Sequence, residues 1–143
     1  MISKIYEVGA LKIYKYVVVL STCGAKIMLS RHKQRTTWET QGGHVEPGET
    51  PLEAAKRELY EESGALRYKI RALCDYWAGD EKTGEGATGM VFHAEIETLG
   101  PMPESEMEEV QCFDTLPDNL TYPAITPELF GFLFKNRSTN KAP

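Results

Sequence analysis

Two periodicities alternate along the chain, one typical of β-strands and the other of α-helices. Residues 14–21 (YKYVVVLS) and 26–30 (KIMLS) are rich in β-branched and aromatic side chains, and a turn-like TCGA separates them. This pattern predicts a β-hairpin. Residues 68–78 predict another strand, and residues 89–99 predict one with a single buried face, because apolar and polar side chains mostly alternate along it. The polar, glycine-rich residues 79–89 predict a loop.

One amphipathic helix is predicted between these strands, from Pro51 to about Gly64. Thr50 is a suitable N-cap, and Glu53 three residues later completes a capping box that satisfies free backbone amides. Pro51 is tolerated in the first turn, where its missing N–H leaves no hydrogen bond unmade. Gly64 readily adopts the left-handed conformation that ends a helix. The apolar positions that repeat along one side are Leu52, Ala55 and Leu59.

A second helix is predicted at residues 125–136, before a polar tail at 136–143 that we expect to be disordered. Thr126 is the candidate N-cap and Pro127 the first helical residue. The apolar positions of this helix are Leu129, Phe132 and Leu133. Strands and helices without a regular βαβ alternation predict a mixed β-sheet between helices, in an α+β or α/β sandwich. A chain of 143 residues fits a single domain, 1–143.

Composition and charge narrow the classes of protein to consider. The chain has 41% hydrophobic and 26% charged residues, which is typical of globular proteins, and its longest apolar run is too short to cross a bilayer. The N-terminus lacks the apolar core of a secretory signal, so we expect a cytoplasmic location. A net charge of −5 disfavours non-specific binding to DNA or RNA, and we expect no duplex nucleic acid as a partner.

The three cysteines have neither the spacing of a zinc site nor that of a disulfide framework. We interpret them as buried small hydrophobic residues, and they are Cys23, Cys74 and Cys112. The three histidines show no spacing typical of metal ligands or of a catalytic triad, and no role is assigned to His32, His44 or His93.

Three glutamates crowd the end of the first helix, where the partially negative helix terminus normally favours cations. Glu58, Glu61 and Glu62 stand at i, i+3 and i+4, which places their carboxylates on one side of the last two turns. A solvated acidic surface would cost only about 0.2–0.5 kcal/mol for each like-charge pair, so the spacing alone does not exclude it. The alternative is that the three carboxylates bind a cation.

The segment around these glutamates carries a longer pattern, G-x5-E-x7-R-E-U-x-E-E-x-G-U, in which U is aliphatic. The residues that fill it are Gly43, Glu49, Arg57, Glu58, Leu59, Glu61, Glu62 and Gly64. This pattern is the Nudix box, here at 43–65, and the sequence resembles a MutT-like Nudix hydrolase. Ala65 departs from the larger aliphatic residue that is usual at its position. Gln41 stands where many relatives carry proline, so we expect the loop that enters the box to be less rigid.

The resemblance implies a Nudix fold, an α/β/α sandwich, and a set of residue roles. Glu58, Glu61 and Glu62 are expected to hold Mg²⁺ or Mn²⁺, with the carbonyl of Gly42 as a further ligand. Hard carboxylate oxygens suit these cations, and glycine permits close backbone approach. The remaining box residues have supporting roles: Arg57 is expected to orient a box glutamate, and Glu49 to support the site.

Many relatives contribute a further glutamate from a loop before a late strand. Here the candidates are Glu104, Glu106, Glu108 and Glu109, with Glu106 favoured and Glu104 second. A solvated acidic loop is an equally good interpretation of each. A nucleobase would need an apolar slot outside the box, for which the candidates are Trp38, Tyr76, Trp77 and Phe92, although residues of this kind more often belong to a core.

The reaction implied by the resemblance is metal-dependent hydrolysis of a nucleoside diphosphate linked to another group, X. The leading expectation is a nucleoside triphosphate pyrophosphohydrolase of the nucleotide-pool-sanitising type, with a small nucleotide as its substrate. Alternatives are hydrolysis of ADP-ribose, nucleotide sugars, dinucleoside polyphosphates or RNA 5′ ends. A Nudix module that binds a nucleotide without hydrolysing it is a further alternative. Which glutamate serves as the general base is left open.

Overall fold

An eight-stranded mixed β-sheet forms the centre of the computed structural model, which describes residues 1–136. The strands are β1 (Ile2–Tyr6), β2 (Tyr16–Cys23), β3 (Lys26–His32), β4 (Trp38–Glu39), β5 (Gln41–His44), β6 (Ala65–Gly79), β7 (Gly86–Leu99) and β8 (Met107–Phe113). The helices are α1 (Pro51–Ser63) and α2 (Thr126–Asn136). The strand order is β1-β6-β7-β2-β3-β4, with β5 also paired to β2 and β8 to β3.

The two helices cover opposite faces of this sheet, because alternate side chains of β2 point to opposite sides. Val17 and Val19 pack in one core cluster with Leu59 of α1. Leu20 packs in the other cluster with Leu129 of α2. The β2–β7 pairing is parallel and the neighbouring pairings are antiparallel. The prediction of a mixed sheet between helices, an α+β arrangement, is therefore confirmed.

Helix α1 begins and ends as its sequence predicts. The Thr50 hydroxyl accepts the Glu53 backbone N–H at 3.1 Å, and the Glu53 carboxylate accepts the Thr50 N–H at 2.9 Å. Gly64 has φ of 79° and closes the helix in the left-handed conformation. The predicted apolar side was wrong at Leu52, which is 41% exposed, whereas Ala54 is buried. The buried side is rotated away from Leu52 and includes two polar residues of the last turn, Glu62 and Ser63.

The β6–β7 hairpin is longer than predicted. The two strands remain paired as far as Gly79 and Gly86, so only residues 80–85 form the turn. Strand β7 was expected to have a single buried face, but four consecutive residues from Val91 to Ala94 are buried. The reason is that β7 lies between β6 and β2, where both faces of the sheet are covered.

Helix α2 starts at Thr126, so the predicted N-cap lies inside the helix rather than before it. Its buried side consists of Thr126, Leu129, Phe130 and Leu133, whereas Phe132 is only partly buried. The predicted tail at 136–143 lies outside the described residues, except for Asn136, the last residue of α2. Neither helix in the described part of the chain is long and apolar enough to cross a membrane.

The end of α1 generates a stability prediction. A Cβ at Gly64 would lie 2.8 Å from the carbonyl oxygens of Gly100 and Pro101, whereas a Cβ at Gly24, which has φ of 60°, would meet nothing within 4 Å. Both Gly→Ala variants should lose about 1–2 kcal/mol for the left-handed backbone. Gly64→Ala should lose clearly more, because the backbone at 100–101 must also move. Equal losses in urea denaturation would contradict this account.

Candidate functional site

The box residues come together where the C-terminal half of α1 crosses β5. A Cβ at Gly43 would lie 2.8 Å from the Glu58 carboxylate carbon, so this carboxylate occupies space that only glycine leaves free. The backbone N–H of Gly42 donates to Oε1 of Glu62 at 2.8 Å. Gly43 thus leaves room for the Glu58 carboxylate beside the β5 backbone, whereas Gly42 lies against β2, where a Cβ would collide with the Val17 carbonyl oxygen.

Arg57 links the carboxylates of the site. Its Nε and Nη2 donate to the two oxygens of Glu49 at 2.7 and 3.0 Å, a bidentate geometry that fixes the guanidinium plane. Its Nη1 donates to Oε1 of Glu58 at 2.5 Å and to Oε1 of Glu61 at 3.0 Å. Its Nη2 also donates to the His44 carbonyl at 3.1 Å. One arginine therefore neutralises part of the charge of three glutamates.

These contacts shift the pKa values of the groups involved. The hydrogen bonds from Arg57, together with the backbone N–H of Glu46, lower the pKa of Glu49 to about 2. The same pairing raises the pKa of Arg57. Glu49 therefore stays ionised over the physiological pH range and holds Arg57 in place.

The pKa of Glu62 is shifted in the opposite direction to that of Glu49. Glu62 is only 7% exposed, and burial is the main reason that its pKa is raised to about 8, although the Gly42 N–H opposes this shift. The nearby carboxylates of Glu58, Glu39 and Glu106 raise it further. Burial also raises the pKa of Glu58, against the effect of Arg57. A bound cation would favour the ionised form of both carboxylates.

Two of the carboxylates that raise the pKa of Glu62, Glu39 and Glu106, lie outside the box. Glu106, the favoured candidate, is 81% exposed and lies 3.9 Å from His32 Nε2, yet its charge acts on Glu58 and Glu62. Glu104, the second choice, is paired with Lys33 at 3.5 Å. Neither Glu104 nor Glu108 is among the charges that raise the pKa values of the two box glutamates.

Glu39 was missed by sequence reasoning. Its side chain is 12% exposed and accepts hydrogen bonds from Arg35 at 2.9 Å and from Thr121 at 3.0 Å. The signal in the sequence was an acidic residue two positions before Gln41, on the strand that leads into the box.

The sequence predicted a less rigid loop at the entrance to the box, because Gln41 stands where many relatives carry proline. The structure instead shows Gln41 held by hydrogen bonds. It is fully buried, accepts a hydrogen bond from Ser21 Oγ at 2.7 Å and donates to Ser30 Oγ at 2.9 Å. The expectation of a less rigid loop was wrong, because an amide side chain replaces ring rigidity with hydrogen bonds that no local pattern reveals.

The candidate aromatic residues belong mainly to the core. Trp38, Tyr76 and Phe92 are buried in the two core clusters, and Trp77 is half-buried with Lys4 Nζ 5.6 Å from its ring.

Of the cysteines, Cys74 is buried, as expected. Cys23 and Cys112 are partly exposed, and their sulfurs lie 3.4 Å apart.

The donor chemistry of the site fits a hard divalent cation. Carboxylate oxygens of Glu58, Glu61 and Glu62 are the ligands that Mg²⁺ and Mn²⁺ prefer, and Gly43 leaves space beside the first of them. Within residues 1–136, however, no three carboxylate, imidazole or thiol groups converge closely enough to form a ready metal site. The positive charge beside Glu58 and Glu61 comes instead from Arg57, which donates hydrogen bonds to both carboxylates.

Comparison with known proteins gives consistent matches. The NUDIX domain model matches residues 14–130. YtkD of Bacillus subtilis, whose name is "putative 8-oxo-dGTP diphosphatase", is 34% identical over 85% of this chain and 73% of the relative. An RNA pyrophosphohydrolase of Francisella philomiragia is 38% identical, but over only 39% of this chain and 36% of the relative. The structure of the B. subtilis pyrophosphohydrolase BsRppH superposes with a TM-score of 0.79, at 26% identity, over 96% of this chain and 90% of that chain.

The burial of Glu62 generates a prediction for the metal-free protein. Because its folded pKa of about 8 exceeds its ordinary value of 4.5, this group contributes stability that is fully present below pH 4.5 and is lost as the pH rises towards 8. In EDTA, Glu62→Gln should therefore be at least as stable as wild type at neutral pH, and its advantage should shrink towards pH 5. Melting temperatures measured across this range test the expectation.

Glu61→Gln is the matched control, since the Glu61 side chain is 47% exposed and the same charge is removed one residue away. This variant should change the stability of the metal-free protein little. A marked loss of stability in Glu62→Gln at neutral pH would show that the ionised carboxylate stabilises the fold.

Proposed function

Because the chain belongs to the Nudix family, we propose that it hydrolyses nucleoside triphosphates to a nucleoside monophosphate and pyrophosphate. As a Nudix pyrophosphohydrolase it acts on phosphoric anhydride bonds. The observation that carries the proposal is the complete set of box residues, with Glu49, Arg57, Glu58 and Glu61 joined by hydrogen bonds and Glu62 held against β5.

Glu58, Glu61 and Glu62, with the carbonyl of Gly42, would hold Mg²⁺ or Mn²⁺. When bound, the metal ion polarises the phosphoryl oxygens and lowers the pKa of a bound water. Arg57 would release Glu58 and Glu61 to the cation while keeping its bidentate contact with Glu49. Glu49 therefore has the role of holding Arg57 in position, and Arg57 that of orienting Glu58 and Glu61.

Glu106 is proposed as the further carboxylate of the site, supplied by the segment before β8. Its exposed side chain can reach a substrate bound near α1, and its charge already acts on Glu58 and Glu62. A carboxylate in this position can accept a proton from the attacking water. The general base is therefore sought among the site glutamates, with Glu106 tested first.

The substrate assignment is supported by the relative YtkD, whose name specifies a nucleoside triphosphate as substrate. A second candidate is the 5′ end of RNA, which is supported by the 38% identity to the RNA pyrophosphohydrolase of Francisella philomiragia over 39% of this chain. Both reactions cleave a phosphoric anhydride beside a nucleotide. A non-catalytic binding module is disfavoured because all of the charged box residues are present.

The single domain and the cytoplasmic location remain predictions.

A product-resolved screen tests the reaction and its metal dependence together. Nucleoside triphosphates, oxidised guanine triphosphates, ADP-ribose and a 5′-triphosphorylated oligoribonucleotide are each incubated with Mg²⁺. We expect pyrophosphate release from one class of triphosphate, complete loss of turnover in excess EDTA, and recovery on adding Mg²⁺ or Mn²⁺. Undiminished turnover in EDTA would exclude the metal-dependent mechanism, and binding without product would favour the non-catalytic module.

The position of Arg57 predicts the behaviour of Arg57→Ala. Turnover should fall by about 10²-fold or more, because the oriented carboxylates lose their common partner. The protein should remain folded, since the Arg57 side chain is partly exposed and no apolar contact of the core is removed. Lys26→Ala, which removes an exposed pair with Asp114, is the control and should retain full turnover. A large loss of melting temperature with normal turnover would make the role of Arg57 structural.

A further inference from the structure

A chain of hydrogen bonds runs through the buried interior from β2 to the end of α1. Ser21 Oγ donates to Gln41 Oε1 at 2.7 Å, and Gln41 Nε2 donates to Ser30 Oγ at 2.9 Å. Ser30 Oγ then donates to the backbone carbonyl of Glu62 at 2.8 Å. All four residues are buried. Three side chains from three different strands thus form a series of hydrogen bonds, and the last of these bonds is made to Glu62, whose carboxylate is the most buried of the site.

The chain has only one orientation that satisfies its members. A serine hydroxyl has one proton, and Ser30 uses it for the Glu62 carbonyl, so this hydroxyl can only accept from Gln41. The Gln41 amide must therefore present its NH₂ group to Ser30 and its oxygen to Ser21. Bonds that all run in one direction polarise one another, and a buried member without its partner would lose its full solvation energy.

The last bond satisfies a carbonyl at the end of α1 that no charged side chain within residues 1–136 is seen to bind. The Glu62 carbonyl is among the last four of α1, which have no partner inside the helix. Cations commonly fill this role, but the last turn of α1 contains no basic residue. The Ser30 hydroxyl instead supplies a neutral donor, which binds the carbonyl without competing for the neighbouring carboxylates.

Gln41 also fixes the other contact of Glu62. The next residue, Gly42, donates its N–H to the Glu62 carboxylate at 2.8 Å. Gln41 and Gly42 are held in register against Val19 and Val18 of β2. Glu62 is therefore held at two points, its backbone carbonyl and its carboxylate, and both contacts depend on where Gln41 lies.

We propose that Gln41, with Ser21 and Ser30, is a positioning residue that holds Glu62 where it binds the divalent cation. The inference rests on the proposed function, since it assigns the network to the metal site. Gln41 contacts no substrate in this role and acts through the helix end and the β5 backbone. Partners of this kind beyond the direct ligands typically change metal affinity by about 10- to 100-fold.

The test separates positioning from stability by replacing the whole network. In the triple variant Ser21→Ala/Ser30→Ala/Gln41→Met, all polar members become apolar groups of similar or smaller size, so few buried groups are left without partners. The single variant Ser30→Ala, which removes the contact to the helix and also the acceptor of the Gln41 amide, is measured in parallel. Val91→Ala, in the core cluster on the α2 face, is the control for general destabilisation.

Binding of Mg²⁺ to the substrate-free proteins is measured by titration calorimetry, together with melting temperature and turnover. We expect the triple variant and Ser30→Ala to bind Mg²⁺ about 10- to 100-fold more weakly than wild type. Val91→Ala should lose stability and keep its Mg²⁺ affinity. This combination would assign the loss of affinity to the network rather than to weaker folding.

Unchanged Mg²⁺ affinity in both network variants would overturn the inference and leave the proposed function intact. An equal loss of affinity in Val91→Ala would also overturn it, because the effect would then follow stability alone. If wild type itself binds no Mg²⁺ and its turnover does not depend on metal, the proposed function fails, and the inference fails with it. The wild-type titration therefore distinguishes the two failures.

Discussion

The site depends on keeping one carboxylate at the buried end of a helix. Glu62 is 7% exposed and lies at a terminus whose dipole is unfavourable to negative charge. Burial of a charge is costly unless the charge is paired and hydrogen-bonded. The fold supplies a backbone N–H to the carboxylate and a serine hydroxyl to the carbonyl of the same residue, and no cationic side chain within residues 1–136 is bonded to the carboxylate. A bound cation would stabilise the ionised form.

The other features of the site follow from this constraint. Strand β5 approaches α1 closely enough for the Gly42 N–H to reach Glu62, and Gly43 leaves room beside it for the Glu58 carboxylate. The helix must also end where the chain can turn back into the sheet, and the left-handed conformation of Gly64 makes this turn possible. The apolar side of α1 is correspondingly narrow, consisting chiefly of Ala54, Ala55 and Leu59. Small alanines let the glutamates share the buried side of the helix.

The features of the site that depend on neighbouring residues in the sequence could be predicted. Those that depend on contacts between distant residues could not. Both ends of α1 follow from residues 50–64 alone, because caps and helical periodicity act within a few positions. The role of Gln41 did not follow, because its partners are 11 and 20 residues away. Glu39 is connected to the site only through the effect of its charge on the pKa of Glu62, 23 residues along the chain. Leu52 was misassigned because apolar spacing alone cannot show that the buried side of a helix contains carboxylates.

Arg57 explains how so many carboxylates coexist before a metal ion binds. The contacts of Arg57 with Glu49 are bidentate, whereas Glu58 and Glu61 share its single Nη1 group. Its contact with Glu49 is therefore the geometrically fixed one, and the shared contacts are those that a competing cation can replace. Glu62 takes no part in this exchange, because its carboxylate is held by the backbone rather than by Arg57. In the proposed function, Glu62 would be a ligand fixed by the fold, and Glu58 and Glu61 would exchange Arg57 for the metal ion.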